Sequence, residues 1–81
     1  MEFPTEFSLK VFGESDNDLE ALIISVVRQN QVDIERTKIS SRPSSAGKYT
    51  SYTVTFTATS QEQLDNIYRA LSSNDKVLMV L

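Results

Sequence analysis

Residues 51–59 read SYTVTFTAT, and no other stretch of the 81-residue chain limits the fold as strongly. Tyr52, Val54, Phe56 and Ala58 alternate with Ser51, Thr53, Thr55, Thr57 and Thr59. Side chains of a strand point to opposite faces with period two, so one face here is apolar and the other is lined by hydroxyls. A strand of that kind needs a packed layer on one side only. The rest of the chain must therefore cover one face of a sheet and spare the other.

Two segments have the helical period that such a cover requires. Leu19, Leu22, Ile23, Val26 and Val27 recur at i, i+3, i+4, i+7 and i+8, forming one apolar stripe. Ser15 or Asp16 can cap that helix, with Asp18 and Glu20 in its first turn and Arg28 in its last, which suits the macrodipole. Leu64, Ile67, Tyr68 and Leu71 form the stripe of a second helix. Ser60 and Gln63 make a capping box at its start, Asp65 and Arg69 an acid-then-base pair, and Asn74 a left-handed stop.

Strands account for the remainder. Phe7, Leu9 and Val11 alternate with Ser8, Lys10 and Phe12 as far as Gly13, and residues 76–81 (KVLMVL) form a short apolar strand. From about Asp33 to Ser41, Thr37 and Ile39 favour an edge strand. The order is strand, helix, strand, strand, helix, strand, in one domain spanning residues 1–81. Right-handed crossovers turn it into an α+β, ferredoxin-like βαββαβ fold. Its four-stranded antiparallel sheet has order 4-1-3-2, with both helices on one face.

Composition narrows the function classes. The chain has no Cys and no His, which removes thiol nucleophiles, disulfides, Cys/His zinc sites and any Ser-His-Asp triad. A net charge of −3 argues against nucleic-acid binding, which relies on cations that neutralise phosphates. An RNA-binding βαββαβ domain stays a distant alternative, because Tyr52 and Phe56 fall on the apolar face and leave only Phe12 and Tyr49 to stack on bases. The acidic run GESDNDLE, residues 13–20, lacks the spacing of a calcium loop and reads as the opening of a helix. No catalytic residue, metal or cofactor is expected. The first residues are neither basic nor a long apolar run, and no segment approaches the roughly 20 apolar residues that span a bilayer, so a soluble cytoplasmic protein is expected.

Three places remain for binding, one of them the edge strands, whose unpaired amides can extend the sheet to a partner. The stretch Arg42 to Lys48 is either the tip of a long hairpin, with Pro43 and Gly47 as turn residues, or an anion grip made by Arg42, Ser44, Ser45, the Gly47 amide and Lys48. A strand follows it rather than a helix, which favours the plain hairpin. Lys10 projects from a central strand among the hydroxyls of the open face, with Phe12 and Tyr49 as the aromatics of that side.

The segments EFPTEFSLKVFG, RPSSAGKYTSYTVTFTATSQEQLDNIYRAL and VLMVL resemble the YbeD family, small bacterial proteins of uncharacterised function. The resemblance covers nearly the whole chain and includes Phe3, Pro4, Phe7, Lys10, Val11, Gly13, Pro43, Ser44, Ser45, Gly47 and Tyr49. It implies a ferredoxin-like fold similar to ACT regulatory domains, which sense small metabolites, and it carries over no catalytic residue. Ligand-binding ACT domains turn after the first strand on a Pro-Gly or similar pair; here Gly13 is followed by acidic residues, which weakens the case for amino-acid binding. Acylphosphatases share the architecture but hold phosphate with an Arg in that same loop, and residues 13–16 contain no cation. The expectation is a non-enzymatic regulatory or adaptor module with a protein partner, or alternatively a sensor of a small anionic metabolite. Two open sheet edges make a homodimer a further expectation.

Overall fold

The computed structural model describes residues 2–44 and 46–81; of the expected binding residues, Ser45 lies outside the described residues. The elements are β1 (Thr5–Glu14), α1 (Asn17–Gln29), a 3-10 turn (Ile34–Arg36), β2 (Lys38–Pro43), β3 (Tyr49–Ala58), α2 (Gln61–Ser72) and β4 (Val77–Val80). They form one four-stranded antiparallel sheet of order β2-β3-β1-β4, with the two long strands in the middle. The fold is the ferredoxin-like βαββαβ arrangement.

Period two on β3 sorts its side chains as the sequence requires. Tyr52, Val54, Phe56 and Ala58 are buried, whereas Thr53 and Thr55 are half-exposed and Thr57 is exposed. Leu9 and Val11 of β1 join the same core, against Leu19, Ile23, Val26 and Val27 of α1 and Leu64, Ile67 and Leu71 of α2. Phe7 closes one end, with its ring 6.3 Å from Phe56 and 6.5 Å from Tyr68. Burial pushes the Tyr68 hydroxyl pKa up, and burial followed by the Glu20 and Asp16 carboxylates does the same for Tyr52.

Helix ends show where local chemistry departs from expectation. Asp16, not Ser15, caps α1 by accepting from the Asp18 N–H at 2.8 Å. At the other end, Gln31 has φ 67°, its N–H donates to the Arg28 carbonyl, and the Val32 N–H donates to the Val27 carbonyl. That is a Schellman closure with Gln where Gly is usual, held by the burial of Val32. Asn74 does not take the left-handed conformation. Its side-chain oxygen instead accepts from the Lys76 N–H at 2.9 Å, turning the chain into β4. The expected Asp65–Arg69 pair is also replaced: Asp65 accepts from Gln61, and Arg69 donates to Asn66.

The region before β2 needs a larger correction. An edge strand from about Asp33 was expected, but Ile34–Arg36 is a 3-10 turn whose Asp33 cap accepts from the Glu35 N–H at 3.0 Å. The strand starts only at Lys38 and runs to Pro43, so Arg42 and Pro43 belong to β2 and the hairpin tip shrinks to residues 44–48. This edge is blunted against further pairing by Lys38, Arg42 and Pro43.

One ion pair ties the start of α1 to the start of β4. The Lys76 ammonium lies 2.7 Å from Asp16 and 3.6 Å from Asp18. Its hydrogen bond to Asp16 holds that carboxyl below the ordinary 3.8, and the same bond holds the ammonium above 10.5. The carboxylate contribution is present above pH 3.8 and fades as pH falls through the lowered value. The ammonium contribution is present below 10.5 and fades as pH rises through the raised value. Asp16→Asn keeps a capping side chain and removes the shorter of the two contacts, leaving Asp18 at 3.6 Å from Lys76. It is expected to lower the melting temperature by a few degrees at neutral pH, with the gap to the parent narrowing below pH 3.8 and in high salt. Calorimetric melts across pH check this.

Candidate functional site

The uncovered side of the sheet is set by register. Lys10 of β1 lies opposite Thr53 of β3, which lies opposite Ser40 of β2. One row along, Phe12 lies opposite Ser51 and Ser51 opposite Arg42. Lys10 on β1 and Arg42 on β2 therefore stand on the same surface on either side of β3, two strand spacings and one row apart, with backbones separated by roughly 12 Å, close enough for two long cationic side chains to reach one object. Lys10, Phe12, Ser40, Ser41, Arg42, Ser51 and Thr53 line a concavity of about 440 Å³. Among the described residues neither cation makes a salt bridge, and no carboxylate lines the concavity.

Beside it is a smaller slot of about 260 Å³ lined by Phe12, Arg42, Pro43, Ser44, Tyr49, Thr50 and Ser51. Phe12, Arg42 and Ser51 belong to both hollows. On the other flank Met79 pairs with Phe12, and Leu81 exchanges backbone hydrogen bonds with Lys10 at 2.9 and 2.8 Å. Both apolar side chains therefore sit on the open face, each more than half exposed. Hydroxyls continue the other way, with Ser8 and Thr55 bonded across the strands at 2.9 Å.

At the hairpin tip the Gly47 amide of the expected anion grip is engaged within the turn. The Gly47 N–H donates to the Ser44 carbonyl at 2.9 Å, and Gly47 takes φ 71°. The Ser44 N–H donates to the Tyr49 carbonyl at 2.7 Å, and the Ser44 hydroxyl accepts from the Tyr49 N–H at 3.2 Å. The Gly47 amide is thus committed to closing the turn, while the Ser44 hydroxyl accepts from Tyr49 and keeps its own proton to donate. Lys48 lies over the Tyr49 ring, 5.6 Å from its centroid, and lines neither hollow. The structure brings Arg42, Ser44 and Tyr49 to the slot and Lys10 and Arg42 to the larger concavity, leaving Gly47 and Lys48 apart. Sequence reasoning missed the join between the two candidate regions, because Arg42 was assigned to a loop. Reading Arg42 as the last outward position of a strand paired with Ser51 would have placed it beside Phe12.

The sequence matches the family described as "Protein of unknown function (DUF493)" over residues 1–81. A "UPF0250 protein" of Paraburkholderia phytofirmans is 46% identical over 80 residues, covering 99% of this chain and 90% of the relative. Another "UPF0250 protein", from Neisseria gonorrhoeae, is 46% identical over 81 residues, covering 100% of this chain and 89% of the relative. Among solved structures, protein HP0495 of H. pylori superposes with a TM-score of 0.82 at 18% identity, covering 100% of this chain and 85% of that one. The ACT domain from the GTP pyrophosphokinase of Chlorobium tepidum follows at 0.72 and 16% identity, covering 95% and 97%. At those identities the likeness shows the fold alone. The chain belongs to the DUF493/UPF0250 family of uncharacterised proteins, to which the YbeD-like resemblance pointed, and has an ACT-like fold.

Proposed function

We propose that this family member is a non-enzymatic regulatory or adaptor module that acts by binding, and that its open sheet face receives an acid-bearing segment of a protein partner. The carrying observation is the concavity holding Lys10 and Arg42, free of salt bridges among the described residues, on a chain of net charge −3. A cationic surface on an acidic protein steers acidic partners into one orientation. Residues that fold the chain are not consumed by this surface, since the core draws on the opposite side of every strand.

A photo-crosslinking residue at Thr53 tests it in cells. One discrete adduct is expected, joined to an acid-rich segment of the captured protein, and its yield is expected to fall about tenfold or more when Lys10→Glu and Arg42→Glu are combined. A crosslinker at Gln61, exposed on α2, serves as the control from the other side. An adduct indifferent to the charge reversal overturns the reading. A small anion bridged by the same two cations is the second reading, supported by the concave shape between them. It requires saturating shifts of the Thr53 and Ser51 amides with a simple polyanion such as citrate.

A further inference from the structure

The smaller slot carries the argument past charge. Its apolar lining residues are Phe12, Pro43 and Tyr49, and Arg42 lines it as well as the neighbouring concavity. At about 260 Å³ it is below the ~300 Å³ at which pockets for whole drug-sized ligands begin, so it suits one bulky side chain. Pro43 offers no N–H at the sheet edge, which disfavours strand addition there and leaves side-chain insertion as the means of recognition. The slot is also built before anything enters it. The Ser44–Tyr49 bonds at 2.7 and 3.2 Å fix Pro43 and Tyr49 through the turn, so little ordering remains to be lost on binding.

From this placement we infer that the partner segment presents a single aromatic or large aliphatic anchor to the Phe12–Pro43–Tyr49 slot, with its carboxylates on the Lys10 side of that anchor. The inference rests on the acidic-partner reading above and adds the anchor and its polarity. Direction follows from charge. Arg42 and then Lys10 succeed the slot across the sheet with no carboxylate between them, whereas at the Tyr49 end the Lys48 ammonium is offset by Glu14, the cross-strand partner of Tyr49. An anchor buried in a pre-formed hollow beside paired charges is the arrangement in which a few residues dominate binding.

The probes are short blocked peptides titrated into the isotopically labelled full chain: one Phe followed by three acidic residues, the reverse order, the first with Ala for Phe, the first with Lys for each acid, and inorganic phosphate alone. The Phe-acid peptides are expected to give saturating shifts at Phe12, Arg42, Ser44, Tyr49 and Ser51, at least tenfold tighter than the Ala peptide, and Lys10→Gln is expected to weaken them more than Glu14→Gln changes them. Arg42→Gln, at an exposed position, is expected to weaken binding severalfold while leaving the remaining spectrum unchanged. Equal binding by the Ala peptide overturns the anchor and leaves the acidic-partner reading standing. Equal binding by the Lys peptide overturns the charge reading together with the polarity. Affinity unchanged by Lys10→Gln removes the polarity, and shifts reproduced by phosphate alone, or absent for every peptide, overturn the inference whole.

Discussion

Gly13→Ala is expected to lower the unfolding free energy by about 3 kcal/mol, the upper end of what overpacking usually costs. A Cβ at this position would meet the Lys76 carbonyl oxygen at 2.5 Å and the Leu19 Cδ2 at 2.7 Å. The first contact is backbone and cannot swing aside, so relief means moving the entry into β4 where Gly13 opposes Val77. The strand register shifts between Phe12 and Gly13, so the displacement falls where the β1–β4 ladder is already irregular. For a chain of this length total stability is on the order of 4–12 kcal/mol, so the loss is a large share of it. Urea titration should show a lower midpoint with an unchanged slope. Gly47→Ala is the control: nothing lies within 4 Å of its added carbon, and only the φ of +71° opposes it, at about 1–2 kcal/mol. If the Gly13 variant is no less stable than the Gly47 variant, the tight β1–β4 junction described here is wrong.

Gln63→Leu is expected to cost about 1–3 kcal/mol, by removing two part-buried hydrogen bonds to backbone groups at once. Gln63 is the buried polar side chain among the described residues. Its Oε1 accepts from the Thr59 N–H at 2.8 Å, and its Nε2 donates to the Asn30 carbonyl at 2.8 Å. Asn30 in turn donates from its side chain to the Val26 carbonyl at 2.8 Å. One carboxamide thus joins the last turn of α1 to the first turn of α2. Leucine matches its bulk without either bond, so the lost stability measures the bonds rather than a cavity. Amide exchange at Thr59 should accelerate more than the global change in stability explains. Unchanged Thr59 exchange would assign the loss to packing instead.

The elements with strong period were legible in the sequence. Tyr52 to Thr59 had to be a one-sided strand, and the Leu19 and Leu64 stripes had to be its helical cover; burial follows each of them. What escaped was set by short-range geometry with no periodic signature. Asp33 capping Ile34–Arg36 consumes the residues that looked like the start of β2 and delays the strand to Lys38. Gln31 adopts a conformation its side chain does not advertise, because burying Val32 and closing two helix carbonyls compensate for it. The capping box was visible as Ser60 and Gln63, yet Gln63 reaches Thr59 rather than the cap's own amide, and its bond to Asn30 spans 33 residues of sequence. The candidate site shared this limitation. Lys10 was placed on the open face by parity alone, but its company with Arg42 depends on where β2 ends, and the placement of Met79 and Leu81 depends on a register shift.

Strict alternation along β3 also decouples two kinds of evolutionary change. Ser51 and Thr53 can be exchanged for other polar residues without disturbing Tyr52 and Val54 beneath them, so what the surface selects can drift while the interior is held constant. Related chains could then diverge in taste for their counterparts long before they diverge in shape.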